Sequence, residues 1–148
     1  MDREFLRLIQ QGVVAWNHAR RMYPGARPDL RGVVLPDFNL GCADLSAVDF
    51  LRADLQRANL ARANLQEANL AHADLRAVDL WRADLRGANL SGANLQGALL
   101  ASANLAFARL CNADLRGAIL IGADLTNTDL DGANLHGAQM RHLLPEKR

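Results

Sequence analysis

The chain has 148 residues, half of them hydrophobic, which is enough for one domain with a core of its own. Lys and Arg total 17 against 16 Asp and Glu, a formal net charge of +1, so no bulk attraction draws the chain to nucleic acid, an anionic membrane or a strongly cationic partner. Aromatic residues make up only 5% while Leu and Ala abound, the bias of a core built from many copies of two small or medium side chains.

Residues 1–27 are predicted to form a helical cap. Asp2, Arg3, Glu4 and Arg7 interrupt the start of the chain, so it offers no signal-peptide core, and no later run is apolar over a membrane length. A cytoplasmic location without membrane attachment is the expectation. Phe5, Leu8, Ile9, Val13 and Trp16 fall on one helical stripe within residues 3–22. Asp2 is placed to cap that helix and Tyr23-Pro24-Gly25 to stop it.

From Asp29 to Met140 a Leu or its substitute stands at every fifth residue, giving 23 centres of which 21 are Leu and the others are Phe50 and Met140. Ala usually stands two before the centre and Asp or Asn one before it, so the motif is Ala-(Asp/Asn)-Leu-x-x. A period of five matches neither the helix repeat of about 3.6 nor the strand repeat of about 2, and an apolar stripe of that period would wander around a helix without forming a seam. One short side per pentapeptide, with a corner at its last residues, would turn each Leu and its preceding Ala inward; that four such sides close a coil of 20 residues is what the resemblance to the pentapeptide-repeat family, carried by this motif, implies.

Residues 28–142 thereby resemble the pentapeptide-repeat family, on a run of Ala-(Asp/Asn)-Leu motifs covering about three quarters of the chain. The resemblance implies an all-β solenoid, a right-handed quadrilateral β-helix of about six coils. The segment 12–32, GVVAWNHARRMYPGARPDLRG, is similar to the leader that precedes the repeats in many bacterial, often cyanobacterial, members, which implies a bacterial source and a capping role. Centres 20 residues apart should stack as ladders, such as Leu55, Leu75, Leu95, Leu115 and Leu135. Val48 and Val78 at the Ala position should widen the coil locally, with Phe38 a larger departure in the first coil. The Asp and Asn residues are expected to hydrogen-bond backbone at the turns.

A solenoid has open ends whose strand edges invite polymerisation, so both need covering. At the far end the repeat stops at Met140, and the eight residues RHLLPEKR, the last six of them (143–148) assigned as the tail, are expected to be too short for a substantial second cap. Leu143 and Leu144 are expected to fold back over the last coil or to meet a second chain. Quinolone-resistance members of the family dimerise through a longer C-terminal helix that this chain lacks.

No constellation of catalytic residues stands out, and no enzyme activity, metal, cofactor or small-molecule substrate is expected. His18, His72, His136 and His142 show no metal-ligand spacing. Cys42 and Cys111 are too few for a disulfide framework and fall on different faces, so two free thiols are expected. Gly87, Gly92 and Gly97 recur at corner positions and not in a phosphate-binding loop.

Two surface departures remain. Arg52, Arg57 and Arg62 stand at successive corners of one coil with Arg82 one coil above Arg62, a candidate basic collar without the interleaved aromatics of a nucleic-acid surface. Trp81, Leu99, Ala101, Ile119 and Ile121 occupy outward positions where the motif places polar residues, on the side carrying Leu80, Leu100 and Leu120. A clustered apolar patch of this kind often marks an interface; the alternative is that Leu99 and Ile119 tuck against a neighbouring turn or the tail. The expected function is a protein-binding or scaffolding module, through a homodimer or an unidentified protein. The alternative that the family implies, a DNA-mimicking regulator or protector of DNA gyrase, calls for an acidic exterior that this chain does not have.

Overall fold

The computed structural model describes residues 2–140; Leu143 and Leu144 lie outside them. Parallel bridges join residues that are 20 apart, from Asp29 with Asp49 up to Ile119 with Gln139. After four pentapeptides the chain therefore lies directly above itself. About five and a half coils lie between Asp29 of the first bridge and Gln139 of the last, a rod body on the order of 26 Å long at roughly 4.8 Å per layer. The four sides are named here by their first centres: Leu30, Leu35, Leu40 and Leu45.

Each corner is a tight turn in which the amide of the next repeat's Ala donates to the preceding Leu carbonyl, as from Ala63 N–H to Leu60 O at 3.0 Å. The residue two after the centre sits at positive φ: eight glycines and fourteen other residues occupy that position, with φ between 52° and 71°. The residue before it does not, which identifies the turns as type II. A turn of this size in a repeat of five leaves one residue per side free to pair. The sides therefore form single bridges and not the longer strands that the term β-helix implies. Between coils the amides of the centre and of the residue two after it donate upward, as Leu60 N–H does to Asp79 O at 2.7 Å and Arg62 N–H to Trp81 O at 2.8 Å.

The expected hydrogen bonds of Asp and Asn are present at these corners. The side chain one before the centre accepts from the amide one after it, as in Ala61 N–H to Asn59 Oδ1 at 2.9 Å and Trp81 N–H to Asp79 Oδ1 at 3.0 Å. Adjacent coils add side-chain ladders, among them Asn59 Nδ2 donating to Asn39 Oδ1 and Asn89 Nδ2 to Asn69 Oδ1.

The core is the stack of Leu centres and Ala spacers. Leu55, Leu75 and Leu95 are fully buried, as are Phe50, Val48 and Val78, while Phe38 is only partly covered. Toward the other end coverage fades: Leu125, Leu130 and Leu135 are half-buried and Met140 is exposed.

The cap departs from the single helix expected over residues 3–22. It is two helices, α1 (Arg3–Gln10) and α2 (Val13–Met22). The break is Gly12 at φ 103° and ψ 174°, a conformation open to glycine and costly for a residue with a Cβ. Asp2 caps α1 as expected, accepting from the amides of Glu4 and Phe5. Ile9 and Trp16 are fully buried at the end of the core, with Phe5 packed edge-on against Trp16 at 5.7 Å. Polar side chains of α2 hold the open edge of the first coil. Trp16 Nε1 donates to Asp44 O at 2.7 Å, Asn17 Oδ1 accepts from Asp44 N–H at 2.8 Å, and Arg20 Nη2 donates to Ser46 O at 2.7 Å.

Candidate protein-interaction face

Most arginines of the rod are neutralised locally. Arg31, Arg76, Arg86 and Arg116 stand one after a centre and each grips the Asp two residues earlier at 2.6–2.7 Å. These bonds hold the carboxyls of Asp29, Asp74, Asp84 and Asp114 below the usual carboxylate range. Arg57 bonds to Asp37 one coil below through two contacts of 2.7 Å. That removes Arg57 from the candidate basic collar. Arg52 occupies its corner at φ 58° and makes no ion pair among the described residues.

Arg62 and Arg82 differ from all of these. Their guanidiniums lie 5.0 and 4.7 Å from the centroid of one indole ring, that of Trp81, where attraction to the ring's negative face holds them. Two of the four collar residues thus belong to the apolar patch, an association that the sequence reading missed. The signal was available, because Arg62 precedes Arg82 by one coil and Trp81 is the immediate neighbour of Arg82.

On the Leu40 side the bridges set Leu99 above Asp79 and Ile119 above Leu99. Trp81, Ala101 and Ile121 occupy the equivalent corner position in three successive coils. Trp81, Leu99 and Ile121 are 38%, 39% and 40% exposed, and Ile119 is half-buried between them. These residues form an apolar block on the side whose positions before the centre are otherwise polar, at Asn39, Asn59, Asp79 and Gln139.

The block also breaks the corner chemistry. Asp or Asn would accept the amide two residues on, but Leu99 and Ile119 cannot accept from Ala101 and Ile121. Val34 makes the same exchange without consequence, since the residue two after it is Pro36, which has no amide hydrogen. At Leu99 and Ile119 two turn bonds, worth about 0.5–1.5 kcal/mol each, have been exchanged for exposed apolar surface.

Among the described residues no group of three or more His, Cys, Asp and Glu could hold a metal ion, and no helix is long and apolar enough to cross a membrane. Cys42 and Cys111 are both free. The Cys111 thiol donates to Asp129 Oδ2 at 2.9 Å, and that bond raises its pKa, keeping it a thiol.

The family described as Pentapeptide repeats (8 copies) matches residues 43–82, 79–117 and 112–142. Among solved structures, the chain is similar to Rfr23, a pentapeptide repeat protein from the cyanobacterium Cyanothece 51142. The two are 36% identical over 84% of this chain and 97% of that one, with a TM-score of 0.64. HetL, a pentapeptide repeat protein involved in heterocyst differentiation regulation in the cyanobacterium Nostoc, is 24% identical over 83% of this chain and 95% of its own, with a TM-score of 0.31. Full-length QnrB1, a plasmid-mediated fluoroquinolone resistance protein, is 17% identical over 77% of this chain and 84% of its own, also with a TM-score of 0.31. No curated protein matches the chain.

Proposed function

Since the chain belongs to the pentapeptide-repeat family, we propose that it is a non-enzymatic protein-binding scaffold wound in the family's right-handed sense, with the Leu40 side as its contact face. The observation that carries this reading is the exchange at Leu99 and Ile119. Most repeats keep Asp or Asn there, as at Asn59 and Asp79; Arg109 departs too, but with a charged side chain that adds no apolar surface. Loss of the turn acceptor together with about 40% exposure of Leu99 and Ile121 suits a surface whose stabilisation comes from a partner. The reducing cytoplasm, where Cys42 and Cys111 stay as thiols, fits the same reading.

DNA mimicry toward a topoisomerase draws no support from the surface. Mimicry presents regularly spaced free anions, whereas Asp29, Asp74, Asp84 and Asp114 are each gripped by an arginine.

The test is a photo-crosslinking benzophenone amino acid in place of Leu99 or Ile119, compared with the same group in place of Asn94 or Asp114 on the Leu35 side, in cells of the source organism. A discrete protein adduct confined to the first pair is expected, and an adduct of twice the chain's mass identifies self-association. Equal labelling from both sides, or none, overturns the assignment.

A further inference from the structure

We infer that the Leu40 side recognises an amphipathic helix bearing carboxylates beside its apolar stripe. The inference rests on the protein-binding reading above and adds the chemistry of the partner.

Charge is the first ground. The outward positions of this side between Asn39 and Gln139 hold one carboxylate, Asp79, and two guanidiniums, Arg62 and Arg82. Asp79 already accepts from Trp81 N–H at 3.0 Å. The arginines gripped by neighbouring carboxylates lie at other positions, and neither Arg62 nor Arg82 makes an ion pair among the described residues. Two adjacent cations held against one indole form a preorganised site for anions on a partner whose apolar side chains cover Leu99, Ile119 and Ile121.

Backbone pairing is the second ground, because it selects a helix over a strand. The amides of this side are used between coils, Leu99 N–H donating to Val78 O at 2.9 Å and Leu100 N–H to Ile119 O at 2.8 Å, and the corner amides of Ala101 and Ile121, which lack the turn bond, stand a full coil apart as isolated donors. The flank therefore offers no ladder for an added strand. A helix advances about 5.4 Å per turn, against roughly 4.8 Å per coil. Side chains on successive turns of a helix lying along the rod thus meet successive coils, drifting by less than about 2 Å over three of them.

Area is the third ground. With Trp81, Leu99 and Ile121 each about 40% exposed, the block offers on the order of 250 Å². That is well short of the ~800 Å² per partner in a stable dimer interface. It suits a helical segment of a few turns and not a second rod.

The experiment titrates the full chain, by calorimetry, with a synthetic amidated helical peptide of about 15 residues. The peptide has leucines at successive i, i+4 and i+7 positions and glutamates flanking them, and its control has lysines in place of the glutamates. The glutamate peptide is expected to bind roughly tenfold tighter than the lysine peptide, a margin that shrinks as salt is raised. An Arg62→Gln/Arg82→Gln variant should unfold at the wild-type temperature yet lose that margin, and Leu99→Asp should weaken both peptides. Equal affinities, a margin that survives the double arginine variant, or no binding of either peptide overturns the inference. So does tighter binding of an oligothymidylate of about twelve nucleotides, which would reassign the tryptophan and its arginines to base stacking. A crosslinked protein adduct at Leu99 combined with any of these failures leaves the scaffold reading standing and removes only the acidic helix.

Discussion

Every corner of the rod places one residue at positive φ, yet glycine fills only eight of these positions. At the other fourteen a side chain sits in left-handed backbone, at a cost of about 1 kcal/mol each. The Asp or Asn three residues before the positive-φ residue offsets part of that cost by accepting the amide of the residue just before it, as Asp79 and Asn59 do. Gly97 isolates the backbone contribution, because at φ 65° an added Cβ would meet nothing within 4 Å. Gly97→Ala should therefore lower unfolding free energy by about 1 kcal/mol in urea titration, with an unchanged slope. The reverse change at an exposed corner of similar geometry, Ala77→Gly at φ 52°, should raise stability by up to about the same amount. Loss of stability in Ala77→Gly would show that the corner conformation carries no strain.

The cap is the element least visible in the sequence. Its apolar stripe and Asp2 cap were legible, while the break at Gly12 and the role of Arg20 were not. A lone arginine in a helix reads as a solvated charge, but here Arg20 is only 4% exposed, with Nη1 on Ala26 O at 2.8 Å and Nη2 on Ser46 O at 2.7 Å. It thereby supplies donors that a preceding coil would otherwise provide to the first edge. Arg20→Ala leaves those carbonyls uncovered and should destabilise by about 2–3 kcal/mol. Amide exchange at residues 42–47 should rise more than in the middle coils. Uniform acceleration along the rod would mean that the cap and coils unfold as one unit and that Arg20 has no local role.

At the scale of the whole molecule the rod is a one-dimensional stack, so a residue's energetic weight depends on how many coils lie on either side of it. Leu75 is fully buried with Leu55 below and Leu95 above, and Leu75→Ala should cost about 2–5 kcal/mol because its stacked neighbours cannot collapse into the gap. Leu135, in the same ladder but only partly covered, should lose roughly half of that or less on the same truncation, since less apolar area leaves water there on folding. Equal losses at the two positions would show that the last coil is covered in solution.

The period of five determined which residues recur as centres, spacers and corners, and the family resemblance that it carries implied four sides and ladders 20 residues apart, which the bridges show. For the same reason Trp81, Leu99, Ala101, Ile119 and Ile121 could be grouped on one side from sequence alone. Tertiary structure decided what the period leaves open. It turned Arg57 toward Asp37 and set Arg62 and Arg82 against Trp81, because long side chains choose among partners in neighbouring coils by local geometry. It also placed α2 so that Trp16, Asn17 and Arg20 meet the first edge, a contact between non-repeating and repeating segments on which no periodicity bears.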